Sequence, residues 1–348
     1  MNFYKSDLLQ KIADGRFTRW RTGNRNWIGK FPYDILDAAA IAGSPAMPGI
    51  IEGGHFTIYE PGFSYRDIEG GLQQWHANTQ RLAAQWRSQH GADIVAELPG
   101  TWCFLAQPWS DVFWHWMCEA LVKISAFESS GYKGGFIVPG GVAFVRRSLD
   151  LLQIQPERIY YCDAPYAKIE RLIIPHRFRA QLDLKSQIDT VDWLRERLLS
   201  DQKMDHDLKI YAARRGRRSI VNEDDLLSLL SKHGFQSVYM EDLDLGEQIA
   251  LVSRAAAFTG PHGSGFAHTM FMPRRSHVVE LFAPSGVNPC MLTTVEHLEQ
   301  DYSMIVGTTS LASGTTHDAP ILANIELVSL TLKRAEELDR FHRQCAQS

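Results

Sequence analysis

The sequence predicts an α/β protein built on a parallel sheet, and the stretch between residues 208 and 282 is the main reason. Short apolar runs alternate there with segments of helical periodicity, and two of the runs end in turns that are suited to anions. The runs predicted as strands are 208–212, 237–240, 256–259 and 278–281, and the segments predicted as helices are 222–233 and 245–255. Strands that alternate with helices form parallel sheets with right-handed crossovers.

The turn after the first predicted strand carries four arginines around Gly216, namely Arg214, Arg215, Arg217 and Arg218. Ligands of open parallel sheets bind at the carboxyl ends of the strands, where this turn lies. Guanidinium groups bind phosphate oxygens two at a time, so the turn predicts a diphosphate site. The alternative is a solvated basic loop, since charge clusters are common on loops.

The turn after the third predicted strand reads Gly-Pro-His-Gly-Ser-Gly over residues 260–265, and a helix is predicted to open at 266–272. Small residues let a phosphate approach backbone N–H groups at a helix N-terminus, and His262 can donate a further hydrogen bond. An ordinary tight turn is the alternative. A hydrolase nucleophile elbow needs glycines two residues before and two after the serine, where Ser264 has His262 and Phe266, and no Walker or dinucleotide glycine pattern occurs.

A second constellation lies in residues 109–124, where Ser110 is predicted to cap a helix. Asp111, His115 and Glu119 are spaced four residues apart and fall on one predicted face, while the apolar face comprises Phe113, Met117, Ala120, Leu121 and Ile124. A histidine beside a carboxylate can accept the proton of a hydroxyl. The alternative is a polar stripe with a structural histidine, and the spacing does not predict a metal site.

Several segments together resemble glycosyltransferase family 61. Residues 113–121 resemble that family's Tyr-Tyr-His-Trp-Leu-x-Asp-x-Leu segment, and 260–272 resemble its Gly-x-His-Gly-Ala-Gly-x-x-Asn-x-x-Phe-Met segment. Further similarity lies in 135–140, 151–161, 214–226 and 243–255, and the resemblance covers about 97–283. The chain departs from the family pattern at Val112, Glu119, Ala213, Ser264 and His268.

The resemblance implies a GT-B type architecture, in which two Rossmann-like domains with parallel sheets face a cleft. It implies an inverting, metal-independent hexosyl- or pentosyltransferase that moves a sugar from a nucleotide-sugar donor to a glycan or lipid-linked saccharide, in surface polysaccharide synthesis. No cofactor is expected. Residues 1–178 then form the acceptor-side domain, of which 1–95 are poorly readable. Residues 179–325 form the domain that binds the donor. Residues 326–348 form a helix that packs back on the first domain.

On this interpretation, His115 or Glu119 is the catalytic base, and Glu280 binds the ribose of the donor. The donor diphosphate is predicted to bind Arg214, Arg218, His262, Gly263, Ser264 and Gly265. Asn222 and Glu223 are predicted to cap a helix, with Glu223 alternatively holding an arginine, and Gln248 has a supporting role. Asp242 and Asp244 resemble a metal-binding Asp-x-Asp motif but are predicted to cap the next helix instead.

The composition agrees with a soluble enzyme. The chain has 348 residues, 45% hydrophobic residues and a net charge of −4, which allows two cores and disfavours nucleic acid as a partner. Five widely spread cysteines and the absence of an apolar leader or membrane span predict a cytoplasmic protein, with at most peripheral contact to the inner membrane. Two alternatives stay open, a non-catalytic nucleotide-sugar or polysaccharide-binding protein and, less well supported, a Rossmann oxidoreductase.

Overall fold

The computed structural model describes residues 26–57 and 96–347, apart from 29–30, 45–46, 53–54, 107–108, 163–165, 176–183, 201, 203 and 309–317. Contacts between Cα atoms divide the chain into two compact units, Met1–Arg179 and Ala180–Ser348. The spacing of Trp75, Leu82 and Trp86 predicts an amphipathic helix at 71–89, and this segment lies outside the described residues. No helix in the described part of the chain is both long enough and apolar enough to span a bilayer.

The first unit contains a mixed sheet, which has eight strands among the described residues. The strands are β1 Asn26–Ile28, β2 Phe31–Ser44, β3 Met47–Glu52, β4 His55–Thr57, β5 Ala96–Phe104, β6 Gly135–Pro139, β7 Ile159–Cys162 and β8 Tyr166–Pro175. Their order is β4-β3-β2-β8-β5-β6-β7, with β1 paired to β2. Strands β8, β5, β6 and β7 are parallel to one another, as predicted, and they surround an apolar core that includes Phe104, Ile137 and Leu172.

The parallel sheet predicted for this unit is therefore correct only for β5 to β8. Strands β1 to β4 pair antiparallel with their neighbours, and β2 also runs antiparallel to β8. Only two residues separate β2 from β3 and β3 from β4, and a connection that short can only reverse the chain. The sequence predicts a loop at 45–48 and one or two strands at 49–59; β3 and β4 are found there, but β3 already begins at Met47, inside the predicted loop.

The helical region after β5 begins later than predicted. Helix α1, Phe113–His115, is capped by Val112 with no side-chain hydrogen bond, so the predicted capping role of Ser110 is wrong. A π-helical turn, Trp116–Ala120, follows α1 and precedes α2, Lys123–Ser129. Helix α3, Ala143–Leu151, lies between β6 and β7. The predicted apolar face is otherwise confirmed, because Met117, Ala120, Leu121 and Ile124 are all fully buried, whereas Phe113 is partly exposed.

The second unit is a parallel sheet in the order β10-β9-β11-β12-β13. Its strands are β9 Leu208–Ala213, β10 Gln236–Tyr239, β11 Ala255–Pro261, β12 His277–Phe282 and β13 Asp301–Val306. Its helices are α4 Leu184–Leu198, α5 Glu223–Lys232, α6 Leu245–Val252, α7 Leu292–His297 and α8 Ile325–Gln347, with a 3₁₀ helix at Ser264–Phe271. The four predicted strands and both predicted helices are confirmed. Strand β13 was missed because it is a partly exposed edge strand without an apolar run.

The strand order determines where this sheet can bind a ligand. In chain order the sheet reads 2-1-3-4-5, so the connections after β9 and β11 leave in opposite directions. Doubly wound sheets of this order bind ligands at that reversal, at the carboxyl ends of the first and third strands. The arginine turn follows β9 and the His-Gly-Ser-Gly turn follows β11, so both predicted anion turns meet at the switch point.

Helix α8 is attached to the second unit by apolar contacts and by a cluster of charged groups. Val328 and Leu332 are buried in the core beneath it. The ring of His277 lies between two carboxylates, 3.3 Å from Asp301 through Nδ1 and 2.8 Å from Asp339 through Nε2. Both nitrogens must carry a proton to serve both acceptors, which requires the charged ring. The predicted packing of this helix on the first domain stays a prediction.

The charged cluster predicts a pH-dependent stability. Burial disfavours the charged ring of His277, but the hydrogen bonds to Asp301 and Asp339 outweigh burial and raise its pKa. A raised pKa contributes stability below the unfolded-state pKa, and the contribution is lost as the pH rises through the folded-state pKa. The free energy of unfolding in urea is therefore expected to fall as the pH rises above about 6.5, the ordinary pKa of a histidine in the unfolded chain. His277→Gln should flatten this slope; an unchanged slope in the variant would contradict the assignment.

Candidate functional site

The two predicted anion turns are joined by hydrogen bonds to one carbonyl group. Arg214 and Arg218 each donate from Nη1 to the backbone oxygen of His262, at 3.0 and 3.1 Å. Both guanidinium groups are partly buried, and Arg218 adopts a left-handed backbone conformation with φ of 60°. A non-glycine residue held at positive φ is uncommon and costs conformational energy, which the surrounding contacts must offset. The turn is therefore a rigid arrangement of two cations at the switch point.

The charge of this pair is only partly compensated by protein carboxylates. Asp318 lies 3.5 Å from Nε of Arg218 but is shared with the exposed Arg217, at 3.1 Å. Among the described residues, no carboxylate lies within 4.0 Å of Arg214. Burial, followed by the charges of Arg218 and Arg217, lowers the pKa of Arg214, and burial likewise lowers the pKa of Arg218. An anion placed here would relieve the repulsion between two desolvated cations.

The other two arginines of the turn bind carboxylates. Arg215 forms two hydrogen bonds to the carboxylate of Asp242, at 2.7 and 2.8 Å, and stacks on the ring of Tyr239. Arg217 is largely exposed and binds Asp318. The structure thus brings Arg214 and Arg218 together with His262 and assigns Arg215 and Arg217 to surface ion pairs.

A cavity of about 320 Å³ opens beside the arginine pair, and we call it the switch-point pocket. Its lining includes Arg214, Arg215, Met240, Glu241, Gly263, Ser264 and Gly265, whereas Arg218 lies behind Arg214 and is not part of the lining. Its size falls at the lower end of the range of small-molecule sites. Ser264 and Gly265 begin the 3₁₀ helix, so the positive end of that helix faces the residues predicted to bind a phosphate.

Gly263 is needed for the contact between Arg214 and the turn. A Cβ atom at this position would collide with Nη1 of Arg214, which is the end of a flexible side chain. Gly263→Ala is therefore expected to leave the melting temperature nearly unchanged while displacing the arginine. Loss of one charge-assisted contact should weaken anion binding about tenfold, measured by calorimetry. The control is Arg214→Ala, in which adding Gly263→Ala should have no further effect; additive losses would show that the two residues act separately.

Glu280 lies in the sheet interior and not at the rim of the pocket. Its carboxylate is completely buried and contacts Nδ1 of His262 at 2.6 Å through one oxygen and the hydroxyl of Tyr302 at 2.6 Å through the other. The ring of His262 also stacks on Phe282, with 4.6 Å between the ring centroids. A contact between Glu280 and a ribose would have to replace these hydrogen bonds. The ribose contact, which is expected from the family resemblance and from the strand-end position of Glu280, stays a prediction; the contact with Tyr302 of β13 was not predicted from the sequence.

The supporting residues have partners that their sequence positions did not indicate. Asn222 occupies the predicted N-cap position of α5, but its side chain makes no capping hydrogen bond and instead binds the backbone N–H and carbonyl of Ala323, at 2.9 and 3.0 Å. Glu223 accepts a hydrogen bond from Tyr211 at 2.7 Å and does not hold an arginine. Gln248 donates to the carbonyls of Met240 and Leu243 and contacts His268. Asp244 does form the predicted capping box with Glu247.

In the first unit, His115 and Glu119 form the predicted pair. Nδ1 of His115 lies 2.8 Å from Oε2 of Glu119, whose side chain is 3% exposed, whereas the histidine side chain is 26% exposed. The ring of Trp109 is tilted by 33° against the ring of His115, at 5.5 Å between centroids, and the ring of Trp114 is nearly perpendicular to it. Asp111 precedes α1 and lies in a turn, so the predicted three-residue stripe is reduced to this pair. A partly exposed imidazole that is oriented by a buried carboxylate is suited to accepting a proton.

Among the residues that the structure describes, no three histidine, cysteine or acidic side chains are grouped as metal ligands. The expectation of metal-independent chemistry stays a prediction. The fold and site together define an α/β protein with a cationic pocket at a strand switch point.

A protein-family model matches the region that contains these features. Residues 113–279 match the family model Glycosyltransferase 61, and this region spans the His115–Glu119 pair, the arginine turn and the His-Gly-Ser-Gly turn. This match confirms the resemblance to glycosyltransferase family 61 that was identified in the sequence.

Curated relatives match a shorter part of the chain. Protein O-linked-mannose beta-1,4-N-acetylglucosaminyltransferase 2 of Danio rerio is 40% identical over 85 residues, which is 23% of this chain and 14% of the relative. The Homo sapiens protein of the same name is 41% identical over 76 residues, or 21% of this chain and 13% of the relative. The EGF domain-specific O-linked N-acetylglucosamine transferase of Drosophila melanogaster is 34% identical over 76 residues, or 21% and 15%. The match thus spans a small fraction of each relative.

Proposed function

We propose that this protein is a glycosyltransferase that moves a sugar from a nucleotide-sugar donor to a glycan or lipid-linked saccharide, with inversion and without a metal ion. One observation carries the proposal. Arg214 and Arg218 converge on one carbonyl beside the switch-point pocket, and part of their charge is left uncompensated by the described carboxylates. A nucleoside diphosphate supplies the missing negative charge, and the family match of the same region supports glycosyl transfer.

The chemistry requires a base and a stabilised leaving group. In an inverting transfer, an acceptor hydroxyl oxygen bonds to the anomeric carbon as the bond from that carbon to the diphosphate breaks. The electron pair leaves with the diphosphate, whose growing charge Arg214 and Arg218 would stabilise. The hydroxyl proton goes to the base. His115 is the better candidate, because its ring is partly exposed and the buried Glu119 can hold the proton on Nδ1, which leaves Nε2 to accept.

The names of the relatives suggest which sugar to test first. The relatives described above are N-acetylglucosamine transferases, so we propose N-acetylglucosamine as the first donor sugar for this chain. Their names specify protein-linked acceptors, O-linked mannose and an EGF domain. For this chain we propose a saccharide acceptor and a role in the synthesis of surface polysaccharide on the cytoplasmic side. In a screen of acceptors, transfer to a protein-linked saccharide would be the competing outcome.

The experiment is a thermal-shift panel of sugar nucleotides, free nucleotides and NAD(P), with and without EDTA, followed by assays of transfer to saccharides. A ligand that binds only the folded state raises the melting temperature. We expect a shift with one family of nucleotide sugars that survives EDTA, followed by transfer. A shift with NAD(P) alone would overturn the proposal. Nucleotide-sugar binding without hydrolysis or transfer would favour a non-catalytic binding protein.

A further inference from the structure

Three residues from neighbouring strands form a buried chain of hydrogen bonds behind the switch-point pocket. Tyr302 on β13 donates to Glu280 on β12, and Glu280 contacts His262, which directly follows β11. Both distances are 2.6 Å, and the carboxylate of Glu280 has no exposed surface. Burial, followed by the charge of Glu280, raises the pKa of Tyr302, so its hydroxyl stays protonated and donates. We call these residues the Tyr302–Glu280–His262 chain.

A buried carboxylate is unexpected next to a site built for an anion. It repels a bound diphosphate, and removing it from water costs free energy unless its oxygens accept hydrogen bonds. Both oxygens of Glu280 do accept them. Because a carboxylate accepts, the proton of a neutral His262 ring must lie on Nδ1, and stacking on Phe282 further restricts the ring. The carboxylate therefore serves to fix one orientation of His262.

Residue 262 is also the point to which both arginines are attached. Its carbonyl accepts from Arg214 and Arg218, while its N–H donates to the carbonyl of Leu281 at 2.7 Å. A shift of this residue would move both guanidinium groups together. The ring of His262 thus contacts Glu280 in the sheet interior, while its carbonyl binds Arg214 at the pocket and Arg218 behind it.

We infer that Glu280 and Tyr302 are positioning residues, which hold the two arginines in place for a diphosphate by fixing His262. This inference rests on the proposed function, and it replaces the ribose contact expected for Glu280 with a role that is exerted through another residue. Tyr302, which lies outside the matched family region 113–279, thereby becomes part of the donor site. The role resembles that of outer residues that orient the ligands of a metal.

The test compares Tyr302→Phe and Glu280→Gln with wild type, using calorimetry with inorganic pyrophosphate as the probe. Charge and position make opposite predictions for Glu280→Gln. Removing a negative charge alone would tighten pyrophosphate binding, whereas loss of positioning is expected to weaken it about tenfold, which corresponds to one charge-assisted hydrogen bond. Tyr302→Phe, which changes no charge, should weaken binding about threefold. Unchanged or tighter binding by both folded variants would overturn the inference.

A matched control is Tyr211→Phe. It removes another tyrosine-to-glutamate hydrogen bond of the same unit, at 2.7 Å to Glu223, which is not connected to His262. This variant is expected to lose a similar amount of stability but to bind pyrophosphate as wild type does; an equal loss of affinity would reduce the effect to general destabilisation and overturn the inference.

A second readout needs no ligand. The guanidinium ¹⁵N resonances of Arg214 and Arg218, assigned with lysine variants, should shift in Tyr302→Phe and stay in place in Tyr211→Phe. If wild type binds no pyrophosphate, the proposed function fails. The resonances then decide the inference separately, because unshifted arginine signals in Tyr302→Phe would overturn the positioning role.

Discussion

Replacing Arg214 or Arg218 by alanine is expected to weaken binding of the donor nucleotide by about 30- to 100-fold. Alanine removes the charge as well as the hydrogen bonds that the guanidinium group makes with the phosphates, so each replacement costs more than a single charge-assisted hydrogen bond, about 2 to 3 kcal/mol. Both guanidinium groups donate to the same carbonyl oxygen, so the loss of one side chain also allows the other guanidinium group to move. The double variant should therefore lose less than the product of the two single effects. Calorimetric titration with the nucleotide found in the thermal-shift panel measures all three.

Arg217→Ala is the matched control for these variants. Arg217 belongs to the same turn, but its side chain is 74% exposed and binds Asp318 at the surface. Exposed ion pairs contribute little, so affinity should change by less than about threefold. Equal losses for Arg217→Ala and Arg218→Ala would mean that the turn attracts anions by net charge alone, and the assignment of a shaped diphosphate site would be wrong.

Replacing His115 by alanine is expected to lower kcat by about 10²- to 10⁴-fold, the range contributed by general acid–base catalysis. Binding of the donor should change little, because the switch-point pocket is lined by residues of the second unit. Glu119→Gln keeps the size of the side chain but weakens its hold on Nδ1 of His115, so a smaller loss of kcat is expected. Steady-state rates of transfer at saturating donor, with melting temperatures of each variant, separate catalysis from folding.

Asp111→Asn is the control in the first unit. Asp111 is a carboxylate of the same segment, but it precedes the helix that carries His115. Its replacement should leave kcat within about threefold of wild type, as for most surface substitutions. If His115→Ala and Glu119→Gln both retain full rates of transfer, the base must lie elsewhere. If Asp111→Asn alone abolishes transfer, the catalytic base is Asp111 and the assignment of His115 is wrong.

Local patterns were sufficient wherever a residue and its neighbours in the chain determine the outcome. Apolar runs and helical spacing predicted β9 to β12, α5 and α6. Strands that are buried on both faces of a parallel sheet, such as β11 and β12, read as apolar runs, whereas a helix buries one face that recurs every three to four residues. The capping box of Asp244 and the contact of His115 with Glu119 span three and four residues, so their partners were visible in the sequence. Ser110 shows the limit of such local signals, since the helix begins after it.

The sequence by itself therefore determined the α/β class of the second unit, the position of the two turns at the strand ends and the family resemblance. Only the tertiary structure decided which polar groups meet. Tyr302 is 22 residues from Glu280, and Asn222 is 101 residues from Ala323, and no periodicity connects positions so far apart. Their contacts depend on which strands become neighbours in the sheet. Because the sheet order places β12 between β11 and β13, Glu280 orients His262 from the interior, which a strand-end position alone could not show.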